Sequence, residues 1–248
     1  MRKGMTWIWS ASMAVSLLSV TLAAEGVQWG YSGAVGPDKW SALDPSFALC
    51  AAGRNQSPID LTGMIEAELE RATFTYIPGT KEILHNGHTV QVNYAPGSSL
   101  TVSRRSFELA QFHFHAPSEN RIEGESFPLE AQLVHRDADG NLAVIAVLFR
   151  EGVPNAVLAK LWKSFPDREG IRQPLGTPLD ASGLLPAKRD YFRFNGSLTT
   201  PPCSEGVIWL VMKDRMTASK EQIARLTTAL EFANNRPVQP LNARAVLQ

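Results

Sequence analysis

Between residues 83 and 148 the chain reads as a succession of short runs rich in β-branched and aromatic residues, each closed by turn formers. This punctuation restricts it to a sheet-dominated fold. The run at 89–94 ends at Pro96-Gly97, 107–115 at Ala116-Pro117, 129–135 at Asp139-Gly140 and 142–149 at Gly152. The spacing predicts antiparallel strands, with two more at 191–194 and 207–212, the second after the Pro201-Pro202 break. Helical signals are fewer. Residues 155–165 place Val157, Leu158, Leu161 and Trp162 on one side, and 219–234 opens with an S-x-x-Q capping box ahead of Ile223, Leu226 and Leu230. No repeat, low-complexity run or linker interrupts the pattern. The expected fold class is therefore α+β and β-rich, a single domain on a large, mostly antiparallel central sheet with peripheral helices.

The first residues, MRKGMTWIWSASMAVSLLSVTLAAEG, combine early positive charge at Arg2 and Lys3, an apolar stretch from Trp7 to Leu22, and small residues at Ala23 and Ala24. That three-part pattern is a secretory signal peptide, which sets residues 1–24 apart from a domain spanning 25–248. A membrane anchor is the alternative, because a spanning helix needs about 20 apolar residues. Ser10, Ser12, Ser16, Ser19 and Thr21 dilute the stretch. Cleavage would leave no membrane segment and a periplasmic or secreted chain. In that oxidising setting Cys50 and Cys203 are the two available thiols, and one disulfide is the simplest consequence, with two buried free thiols as the alternative.

Lys plus Arg and Asp plus Glu both total 24, so the formal net charge is zero. With no basic patch or charge run, neither nucleic acid nor an anionic membrane is an expected partner, and a small diffusible substrate is. Residues 111–115 read Gln-Phe-His-Phe-His. Alternate side chains of a strand share a face, so His113 and His115 can reach one ion while Phe112 and Phe114 pack behind them. By itself the H-x-H pattern leaves a metal pair and two unrelated histidines both open.

Its neighbours are more specific. QFHFHAPSEN, LEAQLVH, GRNQSPIDL, NGHTVQV and GSLTTPPCSEG resemble the α-class carbonic anhydrases of the exported bacterial type in order and spacing, from Trp29-Gly30-Tyr31 to Gln239-Pro240-Leu241. The resemblance implies a Zn2+ cofactor held by three histidines, with water in the open fourth position and carbon dioxide or bicarbonate as the substrate. Two ligands match at His113 and His115. The third falls on Gln132, in Glu130-Ala131-Gln132-Leu133-Val134-His135, where the family reads E-x-H-x-V-H. His135 shares a strand face with Ala131 and Leu133, opposite Gln132, so it is read as buried structure. The Gln132 amide oxygen can bind zinc while its NH2 donates to Glu130, but it is a poorer donor than imidazole, and weakened zinc binding is expected.

The same resemblance implies further roles. His88 matches a proton shuttle, and Thr199 the hydroxyl that accepts a hydrogen bond from zinc-bound hydroxide and passes its own proton to Glu119. Tyr31 matches a residue that orders water near Thr199, and Gln111 the partner of His113. Val134, Val144, Leu198, Thr200 and Trp209 match the surface against which carbon dioxide rests. His85 has no implied part and is read as structural or exposed. The implied activity is reversible hydration of carbon dioxide. The alternatives are a catalytically impaired relative acting as a binding module and a metal-storage or sensing protein. The oligomeric state is left open, with a dimer among the alternatives.

Overall fold

The strand-forming runs and the turn formers between them become strands and turns close to where the sequence places them. The computed structural model describes residues 26–248, and the expected signal peptide lies outside these described residues. The first α-helices of the described residues are short, α1 (Trp40–Leu43) and α2 (Leu49–Ala52). There follow β1 (Asp60–Leu61), β2 (Thr73–Thr75), β3 (Thr80–His85), β4 (Val90–Tyr94), β5 (Ser99–Val102) and β6 (Arg105–His115). Next come β7 (Arg121–Ile122), β8 (Leu129–Arg136), β9 (Leu142–Glu151) and α3 (Ala156–Leu161). The last elements are β10 (Arg172–Pro174), β11 (Tyr191–Ser197), β12 (Glu205–Met212), β13 (Met216–Ala218) and α4 (Lys220–Leu230).

Eleven strands form one sheet in the order β10-β3-β4-β6-β8-β9-β12-β11, with β5 beside β6, β2 beside β5 and β13 beside β9. All neighbours are antiparallel except β12 and β13, which both run parallel to β9. The sheet is therefore mixed rather than purely antiparallel. Parallel neighbours cannot be joined by a tight turn, and the long connection from β9 to β12 carries α3, β10 and β11.

Register decides which residues share a face. Across β6 and β8, Phe112 pairs with Leu133, His113 with Gln132, Phe114 with Ala131 and His115 with Glu130. Phe112, Phe114, Ala131 and Leu133 lie in one buried cluster with Ile145 and Val147 of β9, Leu158 and Leu161 of α3, and Leu226 and Leu230 of α4. Phe114 meets Phe112 edge-on at 5.8 Å and Trp162 at 5.2 Å between ring centroids. The helices thus cover the face away from His113 and Gln132.

Both helices stop before their sequence patterns end. Asn155 caps α3 by accepting from the N–H groups of Val157 and Leu158, but the helix tightens into a 3-10 turn at Trp162–Ser164. Phe165, which precedes Pro166, is extended, as the proline ring requires. The capping box of α4 forms at Ser219 and Gln222, but Glu231 adopts a left-handed conformation with φ 61° and ends the helix. The following segment then brings Asn234 to the sheet, a long-range demand that overrides the local pattern. Cys50 and Cys203 form a disulfide 153 residues apart, so the free-thiol alternative falls. Among the described residues no helix is long and apolar enough to cross a membrane.

His135 lies on the helix-covered side of β8, fully buried, with Nε2 2.6 Å from the Tyr76 hydroxyl and the rings stacked at 5.8 Å. Burial holds its pKa down, from 6.5 to about 4. Between those values the unfolded chain binds the proton and the folded chain does not, so stability rises with pH through this window. Urea unfolding midpoints should therefore fall as pH is lowered from about 6.5 toward 4, with a shallower slope in His135→Gln; identical slopes would show that His135 is not a source of the dependence. Phe112→Ala should lower the unfolding free energy by about 3–5 kcal/mol, measured by urea denaturation at neutral pH, because the wall behind His113 loses a buried ring.

Candidate metal centre

The β6–β8 register brings His113, His115 and Gln132 to one side of the sheet. The His113 and His115 rings lie 5.0 Å apart at 72°. His113 Nδ1–H donates to Gln111 Oε1 at 3.0 Å, and His115 Nδ1–H donates to the backbone oxygen of Asn234 at 2.6 Å. Each bond leaves the lone pair on Nε2. Nε2 of His115 is buried and has no hydrogen-bond partner. Burial, helped by the neighbouring His115, lowers the His113 pKa to about 3, and the Gln132 side chain, which would accept a hydrogen bond from the protonated ring, acts in the opposite direction.

Two carboxylates fix Gln132. Its Nε2 donates to Glu119 Oε2 at 2.9 Å and to Glu130 Oε1 at 3.1 Å. Reversing the amide would press its oxygen against both carboxylates, so Oε1 must face away from them. Glu130 is itself held by the backbone N–H groups of Glu119 and Asn120 and by the Asn120 side chain, at 2.8–2.9 Å. Burial and then the charge of Glu119 raise the Glu130 pKa. Glu119 Oε1 accepts from the Arg236 backbone N–H at 2.9 Å, and Glu119 Oε2 lies 3.4 Å from His115 Nε2. A nitrogen lone pair facing a carboxylate oxygen is repulsive unless a proton or cation lies between them. Among the described residues no group of three His, Cys, Asp or Glu side chains is arranged to hold a metal ion. The donors that fit a divalent cation are the two imidazole nitrogens together with the amide oxygen.

Val134, Val144, Leu198 and Trp209 belong to a second apolar cluster. Val134 pairs with Val144 and Val144 with Trp209 across β8, β9 and β12, so three of them form a lateral row on the sheet. The Trp209 indole is fixed by donating to Ser197 O at 3.0 Å. Thr199 is buried and Thr200 half-buried in the turn after β11. That turn is closed by bonds from Leu198 N–H to Ser204 O and from Cys203 N–H to Thr200 O, both 2.9 Å, and the disulfide ties it to α2.

The partners of Glu119 differ from those the resemblance implies. No hydrogen bond joins Thr199 to Glu119 among the described residues; Glu119 is engaged by Gln132 and Arg236 instead. Donor count permits the bond from Gln132. An imidazole at position 132 would have one N–H for Glu130 and none left for Glu119, whereas the amide has two.

His88 is half-buried and stacked on Trp29 at 3.7 Å, with Nε2–H donating to the Trp29 backbone oxygen at 2.9 Å. Tyr31 meets Trp29 edge-on and stacks on Phe232. Burial and then the charge of Glu119 push its hydroxyl well above the ordinary tyrosine range. His85 is buried, with Nε2 3.2 Å from Ala229 O on α4. The sequence reading missed Asn120, Asn234 and Arg236, which hold Glu130, His115 and Glu119. Asn120 was within the QFHFHAPSEN motif and available as a signal, but nothing local points from Asn234 or Arg236 to residues more than a hundred positions earlier. A cavity of about 870 Å³ lined by Phe74, Tyr76, Arg189 and Tyr191 contains none of the site residues.

Residues 35–248 match the eukaryotic-type carbonic anhydrase family. A carbonic anhydrase of Pectobacterium carotovorum is 45% identical over 238 residues, covering 96% of this chain and 98% of that protein. One from Neisseria gonorrhoeae is 46% identical over 241 residues, covering 95% of each. The α-carbonic anhydrase of Thermovibrio ammonificans, solved with the inhibitor sulfanilamide, superposes with a TM-score of 0.89 at 44% identity, covering 90% of this chain and all of that one. On sequence and on fold alike, this chain belongs to the α-class, eukaryotic-type carbonic anhydrase family.

Proposed function

We propose that the protein catalyses reversible hydration of carbon dioxide to bicarbonate and a proton, with Zn2+ held by His113 Nε2, His115 Nε2 and Gln132 Oε1. The observation that carries this reading is the buried, unpartnered Nε2 of His115 beside an amide whose nitrogen is committed to two carboxylates. When bound, the cation supplies the positive charge that makes water a nucleophile at neutral pH.

The chain's own residues supply the rest. Gln111 and Asn234 hold the imidazoles with Nε2 exposed to the cation site. Val134, Val144, Leu198 and Trp209 offer uncharged carbon dioxide an apolar surface and exclude competing water. Thr199 and Thr200 present hydroxyls from the adjoining turn and orient the substrate oxygens. With Nε2–H of His88 given to Trp29, its Nδ1 is the free lone pair that takes the released proton and hands it to buffer. Tyr31 orders water between them. A leader at residues 1–24, cleaved on export to the periplasm or beyond, accords with the disulfide.

An amide oxygen binds zinc less well than an imidazole nitrogen, so metal retention is weakened. Purified protein should carry substoichiometric, readily chelated zinc, and carbon dioxide hydration should rise on adding zinc and rise further in Gln132→His. Full occupancy that survives chelator but disappears in His135→Ala would overturn the ligand assignment. No hydration at any zinc concentration, with recovery in Gln132→His, would favour a binding module over an enzyme; the presence of Gln132 itself is what keeps that second reading in play. His88→Ala should lower turnover in dilute buffer by about 100-fold with zinc content unchanged, and concentrated imidazole buffer should restore it; unchanged turnover would remove His88 from the proton path.

A further inference from the structure

Replacing imidazole by amide at position 132 adds a second N–H, and that N–H has a partner. Glu119 Oε2 accepts it at 2.9 Å while Glu130 Oε1 accepts from the same nitrogen at 3.1 Å. Glu119 is not free to drift. Its other oxygen takes the Arg236 backbone N–H at 2.9 Å. The Arg236 guanidinium is anchored in turn to Gln56 Oε1, Ser57 O and Cys50 O at 2.8–2.9 Å. All of these groups are buried.

A glutamine amide turns easily about its last torsion, and its two ends are nearly the same size but opposite in polarity. Left alone, it would offer a cation its oxygen only part of the time. Two carboxylates on its nitrogen leave one orientation. They also polarise the amide, drawing positive character to nitrogen and electron density to oxygen, which improves a weak donor.

Building on the assignment of Gln132 as a cation donor, we infer that Glu119 is a positioning residue for Gln132, acting with Glu130 as a two-carboxylate clamp that turns the amide oxygen toward His113 and His115 and raises the site's affinity for a divalent cation. In this chain Glu119 acts through residue 132 rather than through Thr199.

The test is a cycle of zinc affinities measured on the intact protein by competition with a chromophoric chelator. The four proteins are the parent, Glu119→Gln, Gln132→His and the double variant. Glu119→Gln should weaken zinc binding by about tenfold or more in the parent, a typical cost of removing a group that orients a ligand. In the Gln132→His background the same change should shift affinity by less than about twofold, because the imidazole's one N–H is satisfied by Glu130. Equal weakening in both backgrounds would show that Glu119 acts on the cation itself, and no weakening in either would show that it does not orient the amide; both overturn the inference.

Glu119→Asp, which withdraws the carboxylate without removing its charge, repeats the cycle if the glutamine variant does not fold. Independently, the Gln132 side-chain amide protons of the zinc-free parent should exchange slowly with solvent in 15N-resolved spectra, and rapid exchange would overturn the clamp. Gln132→Ala separates the two levels of the argument. Zinc bound by the parent and lost in Gln132→Ala supports the ligand assignment whatever Glu119 does, whereas a parent without zinc affinity overturns both.

Discussion

The pairing of β6 with β8 is the constraint on which the site depends. Its register sets His113 beside Gln132 and His115 beside Glu130. A slip of one residue would send Gln132 into the helix-covered core and bring Leu133 and His135 to the site. What prevents the slip is packing on the reverse face, where Phe112, Phe114, Ala131 and Leu133 are fully buried against β9 and the two longer helices. The same alternation that buries the phenylalanines therefore aims the imidazoles, and stability and site geometry rest on one set of contacts.

Around that pairing most polar groups are committed to a partner. Gln111 and Asn234 take the Nδ1 protons, Asn120 and backbone N–H groups hold Glu130, and Arg236 holds Glu119. Buried networks are stable when every member is satisfied, and here the conspicuous unsatisfied atom within the site is His115 Nε2. Arg236 Nε is also without a partner, but His115 Nε2 differs in offering a lone pair rather than a proton, which is the polarity a cation needs.

Much of this was legible in the sequence. The alternation in Gln111-Phe112-His113-Phe114-His115 gave the shared face of the imidazoles, and the same parity argument put His135 on the opposite face, where it meets Tyr76. The six strands followed from turn formers. Less visible were the features set by distant partners. The two parallel pairings of β9 depend on a long crossover that no local pattern encodes. The early end of α4 depends on where Asn234 has to go. The engagement of Glu119 by Gln132 depends on how many protons one side chain carries, which motif matching does not count.

The hydrogen bond from His115 to Asn234 spans 119 residues, and the one from Arg236 to Cys50 spans 186. Both require nearly the last part of the polypeptide to meet its beginning and middle. During synthesis β6 can be made, and even paired with its neighbour, long before the segment that fixes the His115 tautomer has left the ribosome. The arrangement therefore matures late: His115 takes its final tautomer only after the segment carrying Asn234 has reached it, so whatever delays that segment delays the finished geometry.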